Sequence, residues 1–332
     1  MSKLIVVVGV TGIQGSSVAK TFLQLPGWRV RGISRNPSSA ASQALSSLDV
    51  EIIKGDLDDK SSLIPAFADA HTIFANTDFF AHFFSAIGSP AIAAGRNPKI
   101  YGYEREVEQG LNIAEVAASP AVLKTLERFI YSSLSEARKW SGGKYKEVYH
   151  FDCKAEVLRG IRERYPLLAE KMSTLLMGHY VENWRTFRPL APQRQEDGSF
   201  VMRRPTGKGV KWDFVVAGKD TGEFVRALVE MPVGKDLLGV SEAMTMPEFM
   251  DIWGKFHGVK IRYEQVSYEE FFEGIPTAMR EELGDSFKYV EEFGICGGDP
   301  AVMRPEQLDQ KLQLTKMEEY IKSEDWVPLL EG

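Results

Sequence analysis

The sequence predicts an α/β protein: a doubly wound parallel sheet with a smaller, interleaved α+β part toward the C-terminus. Three observations carry this. Residues 3–8, KLIVVV, form a β-branched run short enough for a strand buried on both faces. Such runs then alternate with segments of helical period as far as residue 133, and past residue 180 the alternation loses its regularity.

Taken in order, the opening strand leads through a glycine turn into a helix over Ser16–Leu25, with Val18, Phe22, Leu23 and Leu25 at roughly helical spacing and Pro26-Gly27 as the stop. WRVRGIS (28–34) reads as the second strand, 38–48 as a helix and VEIIKGD (50–56) as the third strand. Ser61–Ala68 is a short helix, HTIFAN (71–76) the fourth strand, Tyr103–Ala118 a strong helix and ERFIYSS (127–133) the fifth strand. Parallel strands joined by helices require right-handed crossovers. Residues 78–102, rich in Phe, Gly and Pro, interrupt the rhythm with a long connection leaving the carboxyl edge of the fourth strand, where ligands bind in such sheets. Phe79, Phe80, Phe83 and Phe84 therefore read either as an apolar flap packed on the domain or as the wall of a substrate pocket. Beyond residue 180, strand candidates SFVMRRP, WDFVVA and KIRYEQV mix with helices at MPEFMDIWGKF, YEEFFEG and TAMREELGDSFKYVEEFG. The division expected is 1–180 for a nucleotide-binding domain and 181–332 for a smaller substrate- or partner-facing part, with some segments, about 210–245, returning to the first domain.

Composition narrows the function classes. A chain of 332 residues can bury a full core, and its net charge of −6 without basic runs gives no footprint for direct nucleic-acid or membrane binding. Only Cys153 and Cys296 occur, far apart and outside any metal-site spacing, so no metal is expected and a reducing, cytoplasmic setting is.

In VVVGVTGIQGSS (6–17), Gly9, Gly12 and Gly15 follow a strand and open a helix, the Rossmann arrangement for a dinucleotide. The first glycine makes the tight turn, the second lets the backbone approach the pyrophosphate, and the third lets helix and strand pack closely. The helix N-terminus adds free N–H groups and partial positive charge. After the second strand comes Arg35, in ISRNP, where an NAD site would place a carboxylate for the ribose 2′-OH. A fixed cation there points to the 2′-phosphate of NADP(H), with Ser38 and Ser39 as hydroxyl donors. Asp56, in KGDLDD, is placed to accept from the adenine amino group or to cap a helix, and Leu57 to pack on that ring.

GVTGIQG, SRNP, KGDLDD, REVEQG, HFDCK and GHYVENW, in that order, resemble the NmrA-like family of atypical short-chain dehydrogenases, over nearly the whole chain. The resemblance implies a Rossmann domain, NADP(H) binding and variable catalysis. It implies phosphate contacts from Gly9, Val10, Thr11, Gly12, Ile13, Gln14 and Gly15, and 2′-phosphate contacts from Arg35, Asn36, Ser38 and Ser39. It also implies adenine contacts from Asp56 and Leu57, and ribose or nicotinamide contacts from Asn76, Thr77, Lys154, Tyr180 and Asn183. Glu108 departs from the lysine of the sensor-type sequences, and the 78–102 insertion is longer than theirs.

Short-chain dehydrogenases pair a tyrosine and a lysine four residues apart on one helix face. Here the register reads His150-Phe151-Asp152-Cys153-Lys154, so the lysine is present and histidine replaces the tyrosine; Tyr149 lies about 100° around the helix. Ser132 and Ser133 occupy the usual place of the carbonyl-polarising serine. Three readings follow: a non-catalytic NADPH/NADP⁺ redox sensor in which Lys154 only holds ribose, an enzyme with His150 as general acid, or an enzyme in which Lys154 alone handles the proton. The phenylalanine-rich insertion, with Tyr180, Trp184 and Trp212 as further candidate pocket residues, tips the reading to an NADPH-dependent oxidoreductase acting on an apolar carbonyl, imine or enone. The alternative is the sensor, with a regulated protein partner in place of a small-molecule substrate. The sequence leaves the oligomeric state open.

Overall fold

The fold positions its ligand crevice through one long sheet. The computed structural model describes residues 2–88 and 95–331. The first six strands are β1 (Lys3–Val7), β2 (Trp28–Ser34), β3 (Glu51–Lys54), β4 (Thr72–Ala75), β5 (Arg128–Ser133) and β6 (Met172–Met177). With Asp236–Gly239 and Val302–Met303 they form an eight-stranded sheet in the spatial order Val302–Met303, Asp236–Gly239, β6, β5, β4, β1, β2, β3. Every neighbouring pair is parallel. The order reverses between β1 and β4, so a crevice opens at their carboxyl ends, the topological switch point of a doubly wound sheet. Because both faces are covered, Ile5, Val6, Val7 and all of Thr72–Ala75 are buried without alternation.

Helix α1 (Ile13–Leu23) covers one face and begins three residues earlier than the sequence period suggests, since the glycine turn itself forms its N-cap at Gly12. Helix Ala217–Glu230 crosses it closely: a side chain at Gly222 would lie 2.1 Å from Thr21 Oγ1 and 2.7 Å from Ser17 O. This helix and strand Asp236–Gly239 belong to the sheet layer, as does Val302–Met303, which lies outside the 210–245 stretch named from sequence.

Helix α2 (Ala40–Ser46) joins β2 to β3, and α3 (Lys60–Phe67) leads to β4. Much of the interrupting segment is helical. Asp78 Oδ1 accepts from Ala81 N (3.1 Å) and starts α4 (Phe79–Gly88), and α5 (Pro98–Ala117) begins at Pro98, capped by Asn97. Residues 89–94 of the 78–102 insertion lie outside the described residues. FFAHFFSAI carries large apolar residues around the whole helix, buried at Phe79 and Phe83 and exposed at Phe84 and Ile87, so its sequence reads as a connection and not as a one-faced helix. Helix α5 packs on the Tyr149–Arg164 helix at Gly110, where a Cβ would lie 2.5 Å from Val157. The C-terminal part has its own core around Trp253, Phe200, Phe272, Tyr289 and Trp326. Among the described residues no helix is long and apolar enough to cross a membrane, and no group of three or more His, Cys, Asp or Glu is placed to hold a metal.

Candidate functional site

The crevice has two ends. At the first, Gly9 adopts φ +69°, a left-handed conformation that favours glycine, and a Cβ on Gly15 would sit 2.2 Å from Gly9 O. Helix α1 therefore seats directly on the turn. Its N-cap, Gly12, supplies no side-chain bond, and its first turn holds no acidic residue. The leading N–H groups are left for an anion, which fits a pyrophosphate.

Beside this turn, the side chain of Arg35 is exposed and makes no hydrogen bond or ion pair among the described residues, and no carboxylate stands at the end of β2. A 2′-phosphate fits this cation. Ser38 is exposed, whereas Ser39 is engaged: its Oγ accepts from Ser42 N (3.2 Å) and donates to Ser42 Oγ (2.9 Å), leaving little for a ligand. Asn36 Oδ1 likewise takes Ser38 N (3.1 Å). One oxygen of Asp56 accepts from Asp58 N (3.0 Å), and the half-buried Leu57 is held by Asn112, which donates to its carbonyl (2.9 Å). Glu108 points outward and pairs with Arg105.

The other end is built from side chains of distant segments. Gln14 bridges Ser132 and Tyr180: Ser132 Oγ donates to Gln14 Oε1 (2.8 Å), and Gln14 Nε2 donates to the Tyr180 hydroxyl (2.5 Å). Ser133 instead donates to Leu134 O (3.2 Å). Asn76 and Asn183 are half-buried.

Across the end of β4, Lys154 Nζ donates to Glu106 Oε1 (2.6 Å) and to Thr77 O (3.1 Å). Thr77 Oγ1 donates to the same carboxylate oxygen (2.5 Å), and since its single proton is used there, Tyr131, at 3.0 Å, must be the donor to Thr77. The buried Cys153 thiol donates to Glu106 Oε2 (2.7 Å). Glu106 is fully buried and Lys154 nearly so. Burial alone would depress the Lys154 pKa, but the Glu106 charge, supported by its hydrogen bond, outweighs it and the net direction is up. Burial also drives the Cys153 thiol well up, so it stays protonated. Lys154 is thus a fixed ammonium with one N–H only weakly engaged, at 3.4 Å from Thr77 Oγ1.

One helical turn before Lys154, His150 is held twice by Glu282: its backbone N–H donates to Glu282 Oε1 (2.9 Å), and Nδ1 bonds the same oxygen. Glu282 comes from helix Thr277–Phe293, which is tied down by the buried Lys99 between Glu147 and Glu281. Its Oε2 is buried without a partner among the described residues. The His150 ring lies 5.1 Å from that of Phe80.

The structure corrects part of the pocket expected from sequence. Phe79 and Phe83 are 2% and 0% exposed and pack on Cys153, forming a core between α4, α5 and the Tyr149–Arg164 helix. Only Phe80, half-buried, and Phe84, exposed, keep free faces. Trp184 belongs to the C-terminal core, stacked on Trp326 at 4.7 Å, where it lines a cavity of about 20 Å³ with His179 and Arg204. Trp212 is buried there too, against Phe287. Tyr180 does reach the crevice, through Gln14. Sequence reasoning missed Glu106, Glu282, Asp78 and Tyr131. A carboxylate on the core-facing side of a helix, as at Glu106 between Gly102 and Gly110, was the available signal.

Known proteins share this fold. The NmrA-like family model matches residues 1–321. An NmrA-like family domain-containing oxidoreductase of Aspergillus hancockii is 28% identical over 83% of this chain and 79% of its own, and a Dictyostelium discoideum NmrA-like family protein is 24% identical over 97% and 98%. Among solved structures, the negative transcriptional regulator NmrA in complex with NADP superposes with a TM-score of 0.70 at 19% identity, covering 97% of this chain and 95% of that one. The NADPH-dependent quinone oxidoreductase of Escherichia coli gives 0.64 at 18%, covering 96% and 98%. With the glycine turn, the switch-point crevice and a family match spanning nearly every residue, the chain belongs to the NmrA-like family.

Proposed function

We propose that the chain is an NADP(H)-dependent oxidoreductase that delivers hydride to an apolar carbonyl, imine or enone. The observation that carries this reading is the Lys154–Glu106 pair. A buried ion pair contributes little net stability and is costly to leave half-made, so its place beside the crevice suits a functional role. The relatives of matching length named as oxidoreductases, and the fold neighbours solved with NADP or NADPH, support the same reading.

Each residue has a task. The α1 N-terminus holds pyrophosphate, Arg35 the 2′-phosphate, and Asp56 and Leu57 the adenine. The bound nicotinamide supplies the hydride. Lys154, kept charged, anchors the ribose and offers its weakly engaged N–H to oxygen; its raised pKa makes it an orienting cation and a poor proton donor near neutrality. Where the acceptor is a carbonyl or enone, the proton falls to His150, whose Nδ1 is pinned by Glu282 and whose Nε2 has no hydrogen bond among the described residues.

NADPH oxidation tests this. Wild type turns over at least one of an apolar ketone, a quinone and an iminium salt, and Lys154→Ala abolishes that turnover even at nucleotide concentrations that saturate its weakened cofactor site. A second reading, the NADPH/NADP⁺ sensor acting on a protein partner, is favoured by the packing of Phe79 and Phe83 as core. It requires that none of these acceptors oxidise bound NADPH and that the two nucleotides differ in their effect on partner binding.

A further inference from the structure

We infer that the C-terminal core holds a small-anion site, with a chloride-sized ion seated in the cavity that Arg204 lines together with His179 and Trp184. Strand Phe200–Arg204 brings the cation inside. Alternation puts Phe200, Met202 and Arg204 on one face, and the first two are core residues. Arg203, on the other face, reaches Glu264 at 3.2 Å and Glu270 at 3.8 Å. Arg204, only 2% exposed, meets backbone carbonyls instead: it donates to Pro189 O (3.2 Å), Arg203 O (2.7 Å) and Leu190 O (2.7 Å). These bonds use Nη1 and Nη2 and leave Nε–H buried without an acceptor among the described residues. Carbonyl dipoles orient the guanidinium but do not cancel its charge, and an unpaired buried ion is costly. Burial pulls its pKa down to about 10, so it is still a cation at neutral pH.

The cavity gives room for the missing counter-charge. It measures about 20 Å³, enough for one water-sized particle, which needs roughly 10–15 Å³. No Asp or Glu lines it. Its two indoles are already engaged: Trp184 Nε1 donates to the Tyr320 hydroxyl (2.9 Å) and Trp326 Nε1 to Ile321 O (2.8 Å). His179 packs against Trp212 and Phe214, with ring centroids 5.0 and 5.9 Å away. Desolvation, reinforced by the Arg204 charge, pushes the His179 pKa down to about 3, so its ring is neutral and carries one N–H. Trp212, next to His179, adds a buried Nε1–H without an acceptor among the described residues. Arg204 Nε and Trp212 Nε1 can only donate, so this part of the core lacks an acceptor as well as a negative charge. A water supplies the first and a halide supplies both. An oxyanion fits less well, because its several oxygens would face Met202, Phe214, Met246 and Phe249, which donate nothing. His179 and Tyr180 are successive strand residues on opposite faces, so this site lies behind the crevice and apart from it.

The test locates the ion and then measures its effect. A crystal of the full chain soaked in sodium bromide at about 100 mM is expected to show an anomalous bromide peak within about 3.5 Å of Arg204 Nε. In solution, thermal unfolding is followed from about 5 to about 500 mM chloride, with gluconate, too bulky for the cavity, holding the ionic strength constant. The unfolding midpoint is expected to rise by at least about 2 °C along a saturating curve, and Arg204→Met to flatten that curve. Density in the cavity without an anomalous signal, midpoints equal in the two salts, or a chloride response unchanged in Arg204→Met overturns the inference. So does a peak that needs molar bromide, which is binding at crystal concentration only. The bromide map and the salt series use wild-type protein, so they refute or support the site even where Arg204→Met fails to fold.

Discussion

The two ends of the crevice hold their ligand by opposite means. At the glycine turn the work is done by backbone: free N–H groups at the start of α1 and an approach so close that a Cβ at position 15 would meet Gly9 O at 2.2 Å. At the Lys154 end it is done by side chains from the segment just after β4, α5, the Tyr149–Arg164 helix and the Thr277–Phe293 helix, locked together by buried charge. Backbone recognition fixes a shape common to every dinucleotide. Side-chain recognition can be altered one residue at a time, so chemistry can diverge there while cofactor binding persists.

Substitutions sharpen this contrast. The largest effect is expected from Gly15→Ala, because its neighbour is backbone that cannot rotate away. Dinucleotide affinity should fall by roughly a hundredfold or more in calorimetric titration; a change under threefold would contradict the backbone account of that end. Next comes Glu106→Gln, which leaves the Lys154 ammonium buried without its counter-charge. Denaturant unfolding should show a loss of about 3–5 kcal/mol. Adding Lys154→Met should recover much of it, since the double variant no longer buries an ion, whereas additive losses would show that the two do not act as a pair.

The smallest expected effect lies just off the site. Burial raises the Asp152 carboxyl pKa to about 6, although Arg138 stands 3.9 Å from its Oδ2, an oxygen that accepts no hydrogen bond among the described residues. The folded state therefore binds this proton more tightly than the unfolded chain, whose value is about 3.9. Stability falls as pH rises from about 4 to about 6, and above that the full penalty applies. Asp152→Asn should stabilise the protein by about 1–2 kcal/mol at pH 7, with the gain fading toward pH 4. A gain equal at both pH values would place the effect elsewhere.

The same contrast explains what the sequence could reveal. The glycine turn is local: Gly9, Gly12 and Gly15 lie within seven residues, between a strand and a helix that period and breakers delimit, so its geometry is written in one stretch. The crevice followed from the alternation of strands and helices. The Lys154 network is non-local. Glu106 lies 48 residues from Lys154, and Glu282 lies 132 from His150, so nothing in their immediate neighbours marks the pairing. The phenylalanines of α4 misled for a related reason. Apolar residues signal burial without saying against what, and Phe79 and Phe83 are buried against Cys153 rather than lining a pocket. Trp184 was displaced by the same ambiguity, into a core whose other half comes from Trp326 near the C-terminus.

The most direct test of cofactor choice is calorimetric titration of wild type and Arg35→Ala with NADP⁺, NADPH, NAD⁺ and NADH. Arg35, exposed and without a partner among the described residues, is expected to make the phosphorylated pair bind at least about tenfold more tightly, by a charge-assisted contact to the 2′-phosphate. Arg35→Ala should then bring all four nucleotides to similar affinity by weakening NADP⁺ and NADPH alone. Equal binding of the four nucleotides by the wild-type protein would contradict this directly.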